Sequence, residues 1–262
     1  NPSFPVDVTA TALMPPIQQQ MAQGIQWDSR YLGRYTQNFS ATTSGDVWDR
    51  YGYQNSSDNG GEIWKMAYFG IGLNLTKLQE KAEAEERYDM VGMAKVIRAW
   101  SWQSATDYHG ELIAFDQVFT GRMSFDYTSQ ESAYAEVVRL LNEGLSDLDR
   151  TDGKVSQTYA GQGDKMYAGD RAKWKKFAYG VLARNASNLI NKANYNADKV
   201  IEYCDKSLAS NADNALINFN GTVSTDSNFF GPSINNFNAF RPTDFVVRTM
   251  NGAIFTAVVS RI

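Results

Sequence analysis

The stretch AKVIRAWSWQSATDYHGELIAFDQVF, residues 94–119, decides how this chain is read. With Met93 before it, Val96, Ile97 and Trp100 make an i, i+3, i+4, i+7 series, which predicts an amphipathic helix from about Asp89 to Asp107. Gly110 follows as a left-handed terminator. The second half is a polar, aromatic turn carrying the chain's single histidine, His109. A lone histidine has no second histidine or nearby cysteine with which to hold a metal. No G-x-S-x-G elbow supports a nucleophilic triad. The turn is therefore read as the place where one helix stops and the chain reverses, with Asp107 holding it through backbone N–H groups.

Outward from this stretch the chain is helix-rich. Residues 62 to 85 place Ile63, Met66, Ala67, Gly70, Asn74, Leu75 and Leu78 near one face, ending in the solvated EKAEAEE. Thr128 and Glu131 fit a capping box, with Thr128 as N-cap. After it Tyr134, Val137, Val138, Leu141, Leu145 and Leu148 recur at helical spacing. Asp170 caps a further helix with a buried stripe of Trp174, Phe177, Ala178, Val181 and Leu182. A short helix over about Ala197 to Ala209 presents Val200, Ile201, Cys204 and Leu208. Successive amphipathic helices with short connections pack as antiparallel pairs. The expected fold is mostly α, with tetratricopeptide-like helix pairs and long loop insertions, although no clean repeat of fixed period is present. Residues 40–61 and 218–242 resist a helical reading. Both are rich in Gly, Ser, Asn and Asp, both carry aromatics, and both are too long for plain connections.

Composition narrows the function. Of 262 residues 43% are apolar, enough for a sizeable core, and the net charge of −4 gives no electrostatic reason to seek nucleic acid. The one cysteine, Cys204, excludes an intrachain disulfide without fixing the compartment. No apolar run approaches the ~20 residues that span a bilayer. The opening NPSFPVDVTA lacks the basic start and apolar run of a signal peptide.

Phosphate-binding glycine loops and the EF-hand pattern are absent. Asp107 and Glu111 flank the turn, and Asp46, Asp49 and Asp58 lie in the first loop. A glycosidase needs two carboxylates held ~5 to 10 Å apart, a spacing that sequence does not supply, and loop acids are commonly caps or solvated. The aromatic loops remain. Trp48, Tyr51 and Tyr53 sit among Asp, Arg, Asn and Gly. A sugar has an apolar C–H face, which a flat ring covers, and an equator of hydroxyls, which amide and charged side chains hydrogen-bond. The alternative is that these rings pin the loop to the helices beneath. Phe229, Phe230, Asn235, Asn236, Phe237 and Asn238 make a similar but weaker set, because Phe has no polar handle.

Several segments, in order, resemble the SusD/RagB family of outer-membrane nutrient-binding lipoproteins. WSWQSATDYHGELIAF resembles its TD-x-YGD-I-PY turn. FDYTSQESAYAEVVRLLNEGLSDL resembles its YDSQE-IY helix, and MYAGDRAKWKKFAYGVLARNASNLI its Y-GD…KW-KFANSL-LR helix. IWKMAYFGIGLNLTKL resembles its W…Y…I…N helix, and NPSFPVDVTATALMPP the start of the mature lipoprotein just after the acylated cysteine. Departures exist. The turn, Gly110 to Phe115, lacks the family's proline, Tyr179 stands where Asn is frequent, and the lipid-bearing cysteine is not in this chain. Because family members are longer, residues 1–262 are expected to be a single SusD-like helical domain lacking its C-terminal part.

The resemblance implies a non-enzymatic, cell-surface glycan-binding protein of an outer membrane, anchored by an N-terminal lipid. It would pass its oligosaccharide to a SusC-type TonB-dependent transporter, with no cofactor and no metal. The candidate ligand contacts are Trp48, Tyr51, Tyr53 and Asn55. By the same resemblance Arg184 is a structural cation, which needs a carboxylate partner if buried. Alternatives are a peptide-binding SusD-like protein, a helical-repeat protein-interaction scaffold, a glycan-cleaving enzyme with paired carboxylates, and a calcium ion in an Asp/Asn loop.

Overall fold

The computed structural model describes residues 8–43, 46–52, 61–228, 230–231 and 236–254. Nine α-helices are present among them: α1 (Ala10–Tyr35), α2 (Glu62–Lys65), α3 (Gly72–Ala84), α4 (Tyr88–His109), α5 (Gln130–Asp149), α6 (Gln157–Gly163), α7 (Arg171–Ser187), α8 (Ala197–Lys206) and α9 (Asp244–Met250). Four short strands, β1 (Phe39–Ala41), β2 (Leu112–Ile113), β3 (Tyr127–Thr128) and β4 (Phe240–Pro242), form two antiparallel pairs, β1 with β4 and β2 with β3. The mostly α expectation holds. Two compact units are distinguished, one of Asn1–Met21 with Ile63–Asn218, the other of Ala22–Glu62 with Phe219–Ile262.

The first unit is built around α4. Between Asp89 and Thr106 every residue except Lys95 and Trp100 is buried. The predicted stripe of Met93, Val96 and Ile97 is inside, but so is the rest of the helix, because α3, α5 and α7 all pack on it. Gly92 and Gly144 bring α4 and α5 together. A Cβ on Gly92 would stand 2.8 Å from the Gly144 carbonyl and 2.7 Å from Leu148 Cγ. The helix stops at Gly110, whose φ of +85° and ψ of −104° favour glycine, and whose N–H donates to the Thr106 carbonyl.

Three sequence expectations are corrected. The N-cap of α5 is Ser129, whose Oγ accepts from Ser132 N–H at 3.2 Å. Thr128 instead pairs with Leu112 in the β2–β3 ladder. The helix over 62–85 is interrupted by a π-helical turn, Met66–Gly70, which shifts the buried face so that Ile71 and Gly72 are inside while Gly70 and Asn74 are only half-buried. The apolar stripe of α8 is not buried: Val200 is half-buried, and Ile201, Cys204 and Leu208 are exposed.

Helix α1 was not expected, since Pro15 and Pro16 stand inside it. Pro15 has no N–H for the Thr11 carbonyl. The backbone of Gly163 packs against that carbonyl, in room that a Cβ would fill. Ala10, Met14, Ile17 and Met21 bury one face of the helix. Between them Gln18 donates to Asp164 Oδ1 at 2.6 Å and accepts from Lys165 N–H at 2.7 Å. The Asp164 carboxylate also receives Met166, Tyr167 and Gly169 N–H and, at 2.7 Å, Trp174 Nε1. It holds the α6–α7 turn, where Ala168 and Gly169 have positive φ. Asp170 caps α7 as expected, accepting from Ala172 and Lys173 N–H.

Two substitutions test this packing in denaturant unfolding. Gly92→Val should cost about 1–3 kcal/mol, the range for forcing extra carbons into a filled helix contact. An unchanged midpoint would mean that the two helices separate without penalty. Asp164→Ala leaves Trp174 Nε1 and buried backbone donors without acceptors, and should cost about 3 kcal/mol or more.

Candidate functional site

The loop that follows β1 lies in the second unit, and its conformation is set by polar groups. Asp46 Oδ1 accepts from Trp48 N–H at 2.9 Å and pairs with buried Arg34 at 2.6 Å. Asp49 Oδ2 accepts from Ala41 N–H at 2.9 Å. Tyr35 Oη donates to the Gly52 carbonyl at 2.8 Å, and Gly52 N–H closes the turn on Val47 O at 2.8 Å. These loop acids therefore anchor the loop. Asp58 lies outside the described residues.

The two candidate rings described here have opposite environments. Trp48 is only 6% exposed, with its ring 4.7 Å from Tyr31 and 5.9 Å from Tyr35. It pins the loop to α1, which corrects the expectation that it offers a face to ligand. Tyr51 is 60% exposed, on a left-handed backbone with φ of +57°. Its ring lies 6.3 Å from that of Tyr35 and nearly parallel to it, at 23°. Tyr53 and Asn55 lie outside the described residues. Tyr31 beneath is held protonated, because burial raises its pKa.

The second aromatic segment joins this loop through a pairing that the sequence does not signal. In β1–β4, Phe39 stands opposite Pro242 and Ala41 opposite Phe240. Phe240 meets Phe39 at 5.0 Å and carries the Arg34 guanidinium at 5.4 Å. Phe230 packs edge-on to Phe240 at 6.5 Å, as an apolar ring without a polar handle does. Asn238 is exposed. Phe229, Asn235 and the side chains of Asn236 and Phe237 lie outside the described residues. Thr243 caps α9 and donates from Oγ1 to the Gln37 carbonyl, further tying this segment to the end of α1.

The turn after α4 is structural. Asp107 does not hold it through backbone N–H groups. Its carboxylate takes Gln103 Nε2 at 2.7 Å, Tyr134 Oη at 2.5 Å, Arg184 at 2.8 Å and Asn188 Nδ2 at 3.2 Å. It thus links α4, α5 and α7; Arg184, expected to be partly buried, is exposed, with its side chain 49% accessible, and pairs with this carboxylate at the surface. Thr106 Oγ1 ties the turn instead, donating to the Gly110 carbonyl at 2.6 Å. His109 is exposed, lying edge-on to Trp64 at 5.3 Å, and partial burial against its neighbours lowers its pKa. Among the described residues no group of three or more His, Cys, Asp or Glu side chains could hold a metal ion, and no helix is long and apolar enough to cross a membrane.

Comparison with known proteins follows this geometry. Residues 2–253 match the family model SusD-like_2, described as "Starch-binding associating with outer membrane". Among solved structures, a SusD/RagB family protein from Bacteroides thetaiotaomicron superposes with a TM-score of 0.73 at 21% identity. The match covers 90% of this chain and 50% of that one. A SusD-like protein from the same organism matches at TM-score 0.70 and 18% identity over 93% and 51% of the two chains. A chitin-binding SusD homolog from Flavobacterium johnsoniae matches at 0.62 and 16% over 77% and 42%. The chain thus spans about half the length of these structures. No curated protein matches it significantly.

A nuclear magnetic resonance titration of His109, the single histidine, should give a midpoint below the ordinary ~6.5. A depressed imidazole pKa means that the unfolded chain binds the proton more tightly. Stability from this group is therefore complete above ~6.5 and declines as pH falls through the folded midpoint. Trp64→Ala should return the midpoint toward the ordinary value.

Proposed function

The chain belongs to the SusD-like family of outer-membrane-associated proteins, and on that premise we propose that it captures a glycan at the cell surface and passes it to a SusC-type TonB-dependent transporter. A lipid on a cysteine preceding this sequence would hold it at the outer membrane. It binds its ligand and makes or breaks no bond, so its mechanism is recognition alone. The observation that carries the reading is Tyr51, an exposed ring set on a structured loop and backed by Tyr35. A flat aromatic covers the C–H face of a pyranose, and polar loop groups take its hydroxyls. Tyr51, Tyr53 and Asn55 are the proposed contacts, with Trp48 supporting the loop from beneath. An oligosaccharide is the favoured class because a single sugar gains little after its hydroxyls are desolvated, whereas several adjoining units add contacts. The chitin-binding homolog from Flavobacterium johnsoniae makes N-acetylglucosamine oligomers, with starch fragments, the first ligands to try.

Calorimetric titration with such oligosaccharides tests the site. Loss of one stacking ring, worth about 0.5–1.5 kcal/mol, should make Tyr51→Ala bind roughly 3- to 10-fold more weakly without a change in unfolding midpoint. Trp48→Ala should instead lose about 3–5 kcal/mol of stability. Equal affinity of Tyr51→Ala and wild type for every bound glycan would remove Tyr51 from the site. Co-purification of a large TonB-dependent barrel from native outer membrane in mild detergent is the expected result for the transporter partner. Its absence, where other membrane complexes survive, would leave the protein-interaction scaffold as the better reading.

A further inference from the structure

The construction found at Tyr51 occurs a second time, in the first unit. Tyr127, at the start of β3, is 60% exposed, as Tyr51 is. Its ring lies 6.2 Å from that of Trp64 in α2, at an interplanar angle of 25°. The corresponding values for Tyr51 on Tyr35 are 6.3 Å and 23°. In each case an open tyrosine ring runs nearly parallel to a half-buried ring rooted in a helix. The backing ring is itself fixed. Trp64 packs at 4.6 Å on Tyr68, four residues further on, and Tyr68 packs at 5.1 Å on Trp102 of α4. Tyr68 Oη also accepts the N–H of Ile113, the residue paired with Tyr127 across the ladder, at 3.0 Å. His109 is exposed and stands edge-on to Trp64 at 5.3 Å. Its imidazole, able to donate at one nitrogen and accept at the other, thus flanks the rings.

Tyr127 is held more firmly than a two-residue ladder alone would hold it. Buried Gln117 grips the residue before it: its Nε2 donates to Asp126 Oδ2 and its Oε1 accepts the Asp126 N–H, each at 2.8 Å. The Asp126 carbonyl accepts the Ala114 N–H at 2.9 Å. The N–H, the carbonyl and the carboxylate of Asp126 are thus all engaged, and the backbone that presents Tyr127 is set. Covering the end of α4 needs no such fixing of a ring that stays open to solvent. A ring positioned in advance loses little freedom when a ligand covers it, and so keeps more of its contact energy as affinity.

We propose that Tyr127, backed by Trp64 and flanked by His109, is a second carbohydrate platform that takes one pyranose of a neutral oligosaccharide. The open ring covers the C–H face of the sugar, and the imidazole hydrogen-bonds a hydroxyl. Asp126 and Glu111, exposed acids next in the chain to Tyr127 and to the His109 turn, disfavour an anionic sugar. The ligand class rests on the glycan reading. The location uses nothing from the Tyr51 loop, so either platform can fail alone.

Nuclear magnetic resonance of His109, the single histidine, reads this platform directly. At about pH 8 the imidazole is neutral, since burial lowers its pKa, and a shift of its signals reports ligand and not protonation. Titration with N-acetylglucosamine dimers and with maltotriose should move the His109 signals along a saturating curve for at least one of the two. Tyr127→Ala should displace the midpoint of that curve to roughly 3- to 10-fold higher ligand, the loss of one stacking ring. Tyr127→Phe, which keeps the ring, and Tyr51→Ala should leave the midpoint in place. A sugar that binds the wild type in calorimetry without moving His109 would overturn the second platform and leave the Tyr51 reading standing. So would a midpoint that moves with Tyr51→Ala and not with Tyr127→Ala. Binding of neither sugar to the wild type would overturn both. If Tyr127→Ala does not fold, the wild-type and Tyr51→Ala titrations decide.

Discussion

The first unit depends on a helix that is buried on nearly every side without being apolar. Between its ends α4 holds Asp89, Arg98, Ser101, Gln103, Ser104 and Thr106 inside the protein. Burying a polar group costs free energy unless its hydrogen bonds are made, so each one that is paired dictates what must stand opposite it. Asp89 accepts Ser156 N–H at the start of α6. Arg98 reaches the first turns of α3. Gln103 accepts from Asn185 of α7, and Asp107 gathers groups from α5 and α7. Gln130 of α5 donates to the Thr106 carbonyl at the end of the helix, which also accepts from Gly110 N–H. Apolar contact holds the bundle together but would accept neighbouring registers. The polar contacts choose one.

That arrangement explains what could be read from residues alone. Amphipathic spacing located α4, α5 and α7, and Asp170 marked the start of α7, because these signals are local. The stripe on α4 understated its burial, since a helix enclosed by several partners needs polar residues with particular mates, and mates far along the chain leave no periodic trace. Pro15 and Pro16 hid α1. The backbone that packs against the Thr11 carbonyl there belongs to a glycine some 150 residues away, Gly163, which no local rule would pair with them. The Thr128 capping box failed by one residue because Thr128 was drawn into a ladder with Leu112. The apolar spacing on α8 was correct as a pattern, yet Ile201 and Leu208 remain exposed. Periodicity reports which residues share a face, not whether that face is covered.

The candidate site was legible as a region more than as a set of residues. Trp48 and Tyr51 have the same aromatic-plus-polar surroundings in sequence, and nothing local separates them. The structure does so through a tight turn: Asp46 receives Trp48 N–H and turns its ring inward onto Tyr31, while the left-handed backbone of Tyr51 sends the next ring outward. The antiparallel partnership of β1 with β4 was also invisible, since two strands of three residues carry too little alternation to recognise. Motif resemblance placed the chain in its family through segments other than this loop. Family membership and the proposed ligand contacts therefore rest on different parts of the sequence.

The loop geometry has a consequence for recognition. A tyrosine at positive φ costs roughly 1–2 kcal/mol relative to an ordinary backbone conformation. Here that cost is met by the turn that encloses it: Tyr51 N–H on Trp48 O, Gly52 N–H on Val47 O, and Tyr35 Oη on Gly52 O. Gly52 is required for the same closure, since a Cβ there would stand 2.9 Å from the Val47 carbonyl. The strain holds Tyr51 outward and parallel to Tyr35, which on the proposed glycan-binding reading orients the ring before a ligand arrives. A ring already oriented loses little further freedom on binding, and so retains more of its contact energy as affinity. A bare aromatic face distinguishes poorly between one pyranose and another. If Tyr51 is such a platform, as proposed, its selectivity comes from the polar groups around it, whose directional hydrogen bonds distinguish hydroxyl patterns that the ring does not.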